Sequence, residues 1–280
     1  MGFFRDFFEL YRKKHAELSK QTPKQPPEQE AEQKAEQKPK REPQILETVS
    51  PLSEPEIAAW AEQLETRTTY SAFERDAIER YITEAFGPIV RTYYDADDAD
   101  VRVDIAVTEP TEERRYYTLL TIGMGAHRMQ VPKALEERNA AFAELSVCLP
   151  PDWDFVNDGW PFHLLKTMAR FPFRNHSMLG VGNAYHGALT RGSGFAGAFV
   201  IPAATQSGVS TRLMLPGGKI VNYYLLLPLW EDEWRYIIER RDAASFWEHY
   251  TERIGSIVVD PERESCVDDT EMEEEDEWNT

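Results

Sequence analysis

The chain has 280 residues, 41% of them hydrophobic and 12% aromatic, which is enough for one sizeable core. Its net charge of −18 is unevenly placed: residues 1–50 carry +1, residues 51–263 carry −10 and residues 264–280 carry −9. A body this acidic, with no basic stripe, is repelled by phosphates; that argues against nucleic acid and for a basic protein as partner.

No apolar run approaches the roughly 20 residues of a membrane-spanning helix. The longest, around Tyr223–Trp230, is strand-sized. Arg5 and Asp6 interrupt the N-terminal phenylalanines and no small-residue cleavage site follows, which speaks against a signal peptide. Cys148 and Cys266 suit a reducing compartment better than a disulfide framework. The expectation is a cytoplasmic protein.

Residues 1–20 read as an amphipathic helix, with Phe4, Phe7, Phe8, Tyr11 and Leu18 on one face and Arg5, Arg12, Lys13 and Lys14 off it. Such a segment can dock on a membrane surface, enter a partner's groove or pack on its own domain. Residues 21–50 form a charged, proline-containing linker with the near-repeat Ala31–Lys38; few large apolar side chains are present to offset the entropy of ordering it. The folded domain is expected over 51–263, followed by an acidic tail at 264–280 that is expected to be disordered.

Within that domain, Ser53 and Glu56 form a capping-box pair ahead of an apolar stripe at Ile57, Trp60, Ala61 and Leu64. A second helix is predicted over Ala72–Phe86 and stopped by Gly87-Pro88. Val101, Val103, Ile105 and Val107 alternate with Arg102, Asp104 and Ala106, the pattern of a half-buried strand. Tyr116–Ile122 reads as a second strand after the turn Thr111–Glu113, and Leu145, Val147 and Leu149 lie on a third that ends at Pro150-Pro151. A helix starts at Trp160-Pro161, buries Leu164, Leu165, Met168 and Ala169, and is expected to close at Phe171-Pro172. After the glycine-rich stretch Gly180–Gly197 come a short strand at Ala198–Ile201 and a hairpin, Arg212–Leu215 with Ile220–Leu229, around Pro216–Gly218. The last helix, Asp242–Ile254, is expected to face inward through Ala243, Trp247, Tyr250 and Ile254. Strands and helices mix without a βαβ repeat. The fold class is therefore α/β in the α+β sense: a mixed, largely antiparallel sheet flanked by helices.

Catalytic signatures are weak. Gly192-Ser193-Gly194 lacks the spacing of a nucleophile elbow, and Gly180-Val181-Gly182 with Gly187 does not match a dinucleotide fingerprint. No histidines pair at metal-ligand spacing and neither cysteine is in a C-x-x-C pair, so no catalytic residue, cofactor or metal is expected. Cys148 reads as a small packing residue. The aspartates at 95, 97, 98 and 100 lack the glycine and distal glutamate of a calcium loop and read as a solvated turn. The rival enzymatic reading, a hydrolase or transferase, rests on His176 and His186 in one loop-rich region. The stretch Asp152, Trp153, Asp154, Asp158 and Trp160 interleaves carboxylates with aromatics just past a strand end. Either it is a recognition surface for a basic peptide, or its tryptophans are core and its aspartates cap the next helix.

Five ordered blocks resemble the Suppressor-of-fused domain family. They are Gly123-Met124 with Met129–Pro132; Ala143-Glu144-Leu145 running through Leu149–Trp153 to Trp160-Pro161; Leu164-Leu165 with Ala169–Pro172; Leu226–Glu233; and Val259–Pro261 with Arg263. The resemblance spans about Tyr70–Arg263. It implies an α/β fold with a mixed sheet and a non-catalytic domain that binds or sequesters a protein; the bare domain looks like bacterial members proposed as toxin-immunity proteins. It transfers no binding residue.

Overall fold

The computed structural model describes residues 69–96, 100–112, 114–187 and 192–267. The expected N-terminal helix, the linker and the Ser53 helix lie outside them, as does the expected acidic tail from residue 268 on; its first residues, 264–267, are described, and Cys266 and Val267 are buried there rather than disordered.

Helix α1 (Ala72–Phe86) begins with a capping box the sequence reading passed over. Ser71 accepts from Glu74 N, and Glu74 in turn accepts from Ser71 N at 2.9 Å. Gly87 at φ 109° ends it, a conformation that a Cβ would strain. Strands β1 (Ile89–Tyr93), β2 (Asp104–Thr108), β3 (Tyr117–Ile122) and β4 (Ala143–Leu149) form an antiparallel meander, with a short helix α2 (Lys133–Glu136) before β4. Helix α3 (Trp160–Arg174) follows, then β5 (Ala184–His186), β6 (Gly197–Pro202), β7 (Arg212–Met214), β8 (Ile220–Leu229) and helices α4 (Glu231–Arg240) and α5 (Ala243–Arg253). The strand order is β1-β2-β3-β4-β8-β6-β5, with β7 beside the start of β8. Only the β4–β8 pair is parallel among these, so the mixed, largely antiparallel sheet is as expected.

One face of the sheet packs on α3. Ile105, Val107, Leu119, Leu145, Val147 and Leu226 meet Leu164, Leu165 and Met168 there. On the other face Ala106, Leu120, Ile122 and Tyr223 meet Ile78, Tyr81, Ile82 and Phe86 of α1. Helices on both faces explain why all five residues of β2 are buried rather than every second one. Alternation sorts its side chains between two dry layers instead of between core and water.

Three boundaries differ from expectation. Helix α3 continues past Phe171 to Arg174, with Pro172 buried inside its last turn. A proline so close to the end removes a single intrahelical bond, and its ring is kept by packing. The inward face of α5 is Ala243, Ala244, Phe246 and Tyr250, whereas Trp247 and Ile254 are half-buried. Phe246 takes the core position against Phe199 at 5.1 Å. β1, β5, α2 and α4 were not expected. They are short, or polar enough (Glu231, Asp232, Glu233) to hide their periodicity.

Two further expectations are sharpened. Asp95 is no solvated turn. Its carboxylate pairs with Lys166 at 2.9 Å and with Arg170, and accepts from Val103 N at 3.0 Å. Burial would raise its pKa, but the Lys166 bond leads the interactions that hold it below the usual carboxylate range. Cys148 is buried on the α1 side of β4, and burial pushes its thiol up to about 12; both cysteines are unpaired.

Glu144, also on β4, is fully buried. Its Oε1 accepts from the Tyr70 hydroxyl at 2.6 Å, Gly123 N at 2.9 Å and Gly125 N at 3.0 Å, and its Oε2 from the Thr121 hydroxyl at 2.5 Å. A Cβ on Gly125 would stand 2.3 Å from the Tyr70 oxygen, so only glycine lets the tyrosine reach the carboxylate. Burial nonetheless pushes the Glu144 carboxyl above its ordinary range, against the pull of those donors.

Candidate functional site

Strand β4 delivers the chain to a tight excursion before α3. Trp153 N donates to Pro150 O at 3.2 Å and Asp158 N to Asp154 O at 2.9 Å. The Asp154 carboxylate accepts from Val156 N at 2.9 Å, Asn157 N at 3.2 Å and Asn157 Nδ2 at 2.6 Å. The Asn157 side chain is first among the donors that hold this carboxyl below its usual range. The Trp153 indole N–H closes the loop onto Asp158 O at 3.0 Å.

Aromatic rings anchor the loop from below. Phe155 meets Tyr117 at 5.1 Å and Phe162 at 6.2 Å, and Phe162 meets Tyr93 at 4.7 Å. Trp153 meets Trp160 at 5.9 Å, Trp160 meets Phe195 at 5.8 Å, and Phe195 meets Trp230 at 4.3 Å. Each contact lies in the range where edge and offset ring geometries are favourable. Val156, next to the anchored Phe155, is 89% exposed.

The five residues singled out from sequence are therefore adjacent but differ in setting. Asp152, Asp154 and Asp158 are exposed, Trp153 is half-buried, and Trp160 is buried in the floor. The tryptophans are indeed packed, yet the aspartates do not cap α3: its N-cap is Gly159, with no side-chain cap. Asp154 staples its own loop instead.

The ring series ends at a buried ion pair that sequence reasoning did not find. Arg263 Nη1 and Nη2 donate to Glu233 Oε1 and Oε2 at 2.5 and 2.6 Å, and Nη2 also donates to Pro228 O at 3.0 Å. The guanidinium lies over Phe195, Trp230 and Tyr250, each 5.5 to 5.6 Å away. Glu233 further accepts from Trp230 N at 2.8 Å and Cys266 N at 3.0 Å, and the Trp230 indole donates to Arg263 O at 3.1 Å. Val259 N bonds Cys148 O at 2.9 Å, fastening the C-terminal strap beside β4. The signal was available: Glu233 and Arg263 both sit in quoted motif blocks, with opposite charges amid aromatics.

The histidines of the enzymatic reading have separate neighbours. His176, at φ 47°, is exposed and faces Gln130 at 3.4 Å. His186 bonds Glu231 at 2.8 Å and stacks on Trp234 at 4.2 Å. A groove of about 640 Å³ between α1 and the β7 turn, lined by residues such as Tyr81, Leu213 and Leu215, includes neither. Among the described residues no group of three or more His, Cys, Asp or Glu is placed to hold a metal, and no helix is long and apolar enough to cross a membrane.

Comparison of the chain with known proteins identifies one family. The profile of the Suppressor of fused protein (SUFU) family matches residues 99–264. No curated protein sequence matches the chain. Similar solved structures include the Sufu–Fu complex, at 14% identity and TM-score 0.48, covering 68% of this chain and 89% of that one. A Suppressor of fused homologue from Neisseria gonorrhoeae FA 1090 is similar at 13% identity and TM-score 0.48, covering 71% and 97%. Drosophila Suppressor of Fused is similar at 14% and 0.43, covering 64% of this chain and 45% of that chain. With more than half of its residues inside the family profile, the chain belongs to the Suppressor of fused protein family.

Proposed function

We propose that this domain is a non-catalytic binding module that sequesters or neutralises a protein partner, and that it receives a basic segment of that partner on the loop Asp152–Trp160. The observation that carries the reading is the loop itself. Three exposed carboxylates, with no lysine or arginine between Pro150 and Leu165, stand on a floor already fixed by rings and hydrogen bonds. A preformed surface loses little ordering entropy on association, and unopposed carboxylates attract and orient a cationic segment. Asp152 and Asp158 supply charge, Trp153 supplies half-buried ring surface, and Asp154 and Trp160 hold the shape. The family supports protein binding: one similar structure is a complex between Sufu and Fu. An acidic protein that covers a basic toxin fits the same electrostatics.

The test is affinity purification of the full chain from its native cell under native conditions. A stoichiometric protein partner is expected, and Asp152→Asn with Asp158→Ser should weaken the complex and flatten its salt dependence. Recovery of no stoichiometric partner would sink the proposal. A toxin-like reading frame beside the gene would favour the immunity role.

A further inference from the structure

Asp158 precedes Gly159, and no other aspartate or asparagine in the chain precedes a glycine. This dipeptide sits in the exposed loop, at the residue whose carbonyl holds the Trp153 indole. An aspartyl side chain carries a carboxyl carbon within reach of the next amide nitrogen. What usually protects that nitrogen is the bulk of the following side chain, and glycine has none. Gly159 is open as well: a Cβ built on it meets no atom within 4 Å. It is the N-cap of α3 and makes no side-chain cap bond.

We infer that Asp158–Gly159 is a site of spontaneous isomerisation that opens the loop as the protein ages. The amide nitrogen of Gly159 attacks the Asp158 side-chain carboxyl carbon. The attack is on the protonated carboxyl: its O–H and the N–H proton leave together as water, and a five-membered succinimide forms. Water then adds to the ring. Opening at the Asp158 main-chain carbonyl leaves the chain running through the side-chain methylene as isoaspartate, with the original main-chain carbonyl now a free carboxylate. One water is lost and one regained, so mass is unchanged and no oxidant, reductant or enzyme is required.

The structural consequence is local. The Asp158 carbonyl that accepts from Trp153 Nε1 leaves the main chain, and the backbone gains one methylene between Asn157 and α3. The indole's acceptor becomes one oxygen of a carboxylate no longer fixed in the main chain, so the contact that closes the loop is displaced. Where the loop receives a partner, as proposed above, the change is a one-way clock on the binding surface; that consequence rests on the proposed function, whereas the chemistry does not.

The test uses the full folded chain, held at neutral pH and body temperature for several days and then digested with trypsin. The fragment from Asn139 to Lys166 should develop a second chromatographic peak of identical mass. Protein L-isoaspartyl methyltransferase should label it, and fragment-ion spectra should place the rearrangement at Asp158. Gly159→Ala, at a φ of −82° that any residue adopts, should keep the fold and lose most of that peak. In parallel the Trp153 indole N–H resonance, assigned with Trp153→Phe, should move as the peak grows. Rearrangement confined to a urea-unfolded control, rearrangement at Asp152 or Asp154 instead, or an equal rate in Gly159→Ala overturns the site. Full rearrangement with an unmoved indole resonance overturns the opening of the loop. Neither readout involves a partner, so a chain that binds nothing defeats the proposed function and leaves this result standing.

Discussion

Glu144 and Glu233 are both fully buried, yet the fold accommodates them by opposite means. Glu144 meets only neutral donors: two backbone amides, a threonine and a tyrosine hydroxyl. Glu233 meets a guanidinium in a two-pronged pair, and the guanidinium is itself roofed by three aromatic rings. A buried carboxylate needs its lone pairs satisfied, and either solution does that. They differ in what they tie together. The donors of Glu144 come from Tyr70 just before α1, from Thr121 on β3 and from the turn after it, so the cradle ties the start of α1 to β3 and β4. The pair at Glu233 joins α4 to a strap thirty residues later, so it closes the chain. The two solutions also fail differently when a partner is removed.

Arg263→Ala is the most damaging single change expected. It leaves the buried Glu233 without its counter-ion, at a cost of about 3–5 kcal/mol. That is a large part of the stability of an ordinary domain, so urea unfolding should show a sharp fall in midpoint or no folded state. Replacing both members, Glu233→Met with Arg263→Met, should recover much of the loss. If the single and double variants are equally unstable, the charge is not what the pair protects, and the contrast with Glu144 collapses.

Tyr70→Phe takes one neutral donor from four and should cost less, about 1–3 kcal/mol. Gly125→Ala sharpens the point, because its new methyl meets the Tyr70 oxygen rather than the ring. The alanine should therefore cost clearly less in a Tyr70→Phe background than in the parent. Additive losses in that cycle would mean that the glycine is needed for some other reason.

The pH profiles separate the two carboxylates again. The folded-state pKa of Glu144 is raised above its unfolded value of about 4.5. Between the two values the folded chain binds more protons than the unfolded one, so this group's contribution to stability falls as pH rises from about 4.5. Asp95 and Asp104 have lowered pKa values and act in the opposite sense: their contribution is present above about 3.8 and is lost as pH falls. Denaturant midpoints of the parent and of Glu144→Gln, measured from pH 4 to 8, isolate the first effect. The parent should lose ground to the variant with rising pH. A constant offset would show that Glu144 does not titrate with folding.

Much of the architecture was legible because periodicity and punctuation agreed. Helix α1 ends at Gly87, β4 ends at its prolines, and the β7–β8 hairpin surrounds Pro216–Gly218 as read. What was missed is non-local. Nothing in the spacing of Asp95 announces Lys166 and Arg170 some seventy residues on, so it passed for a solvated turn. Glu144 entered only as part of a motif block, because nothing in the sequence tells that the face opposite Leu145, Val147 and Leu149 is covered by α1 rather than by water. Phe171-Pro172 looked like a helix end, since local strain at proline is visible in sequence and the packing that tolerates it is not. The loop at Asp152–Trp160 was found by composition alone. Its two candidate readings were divided residue by residue only once Trp160 was seen in the floor and Gly159 at the helix cap.

The exposed carboxylates complete the comparison, and they should affect folding least. Asp152 and Asp158 are solvated, so removing their charge should move stability by less than about 0.5 kcal/mol. Each should still weaken association by about 0.2–1 kcal/mol if a cation faces it, and the effect should fade at high salt. Asp154 is the internal control. It is equally exposed, but its oxygens hold Val156 and Asn157, so Asp154→Ala should loosen the loop and weaken binding at low and high salt alike. Titration calorimetry of the three variants against the purified partner, at two salt concentrations, distinguishes a charge that attracts from a charge that shapes. If all three variants respond identically to salt, the loop is a diffuse acidic patch and the roles drawn from its hydrogen bonds are wrong. If Asp152→Asn and Asp158→Ser leave affinity untouched while Asp154→Ala destroys it, shape alone carries recognition, and the partner's contact is with the Trp153 and Val156 surface.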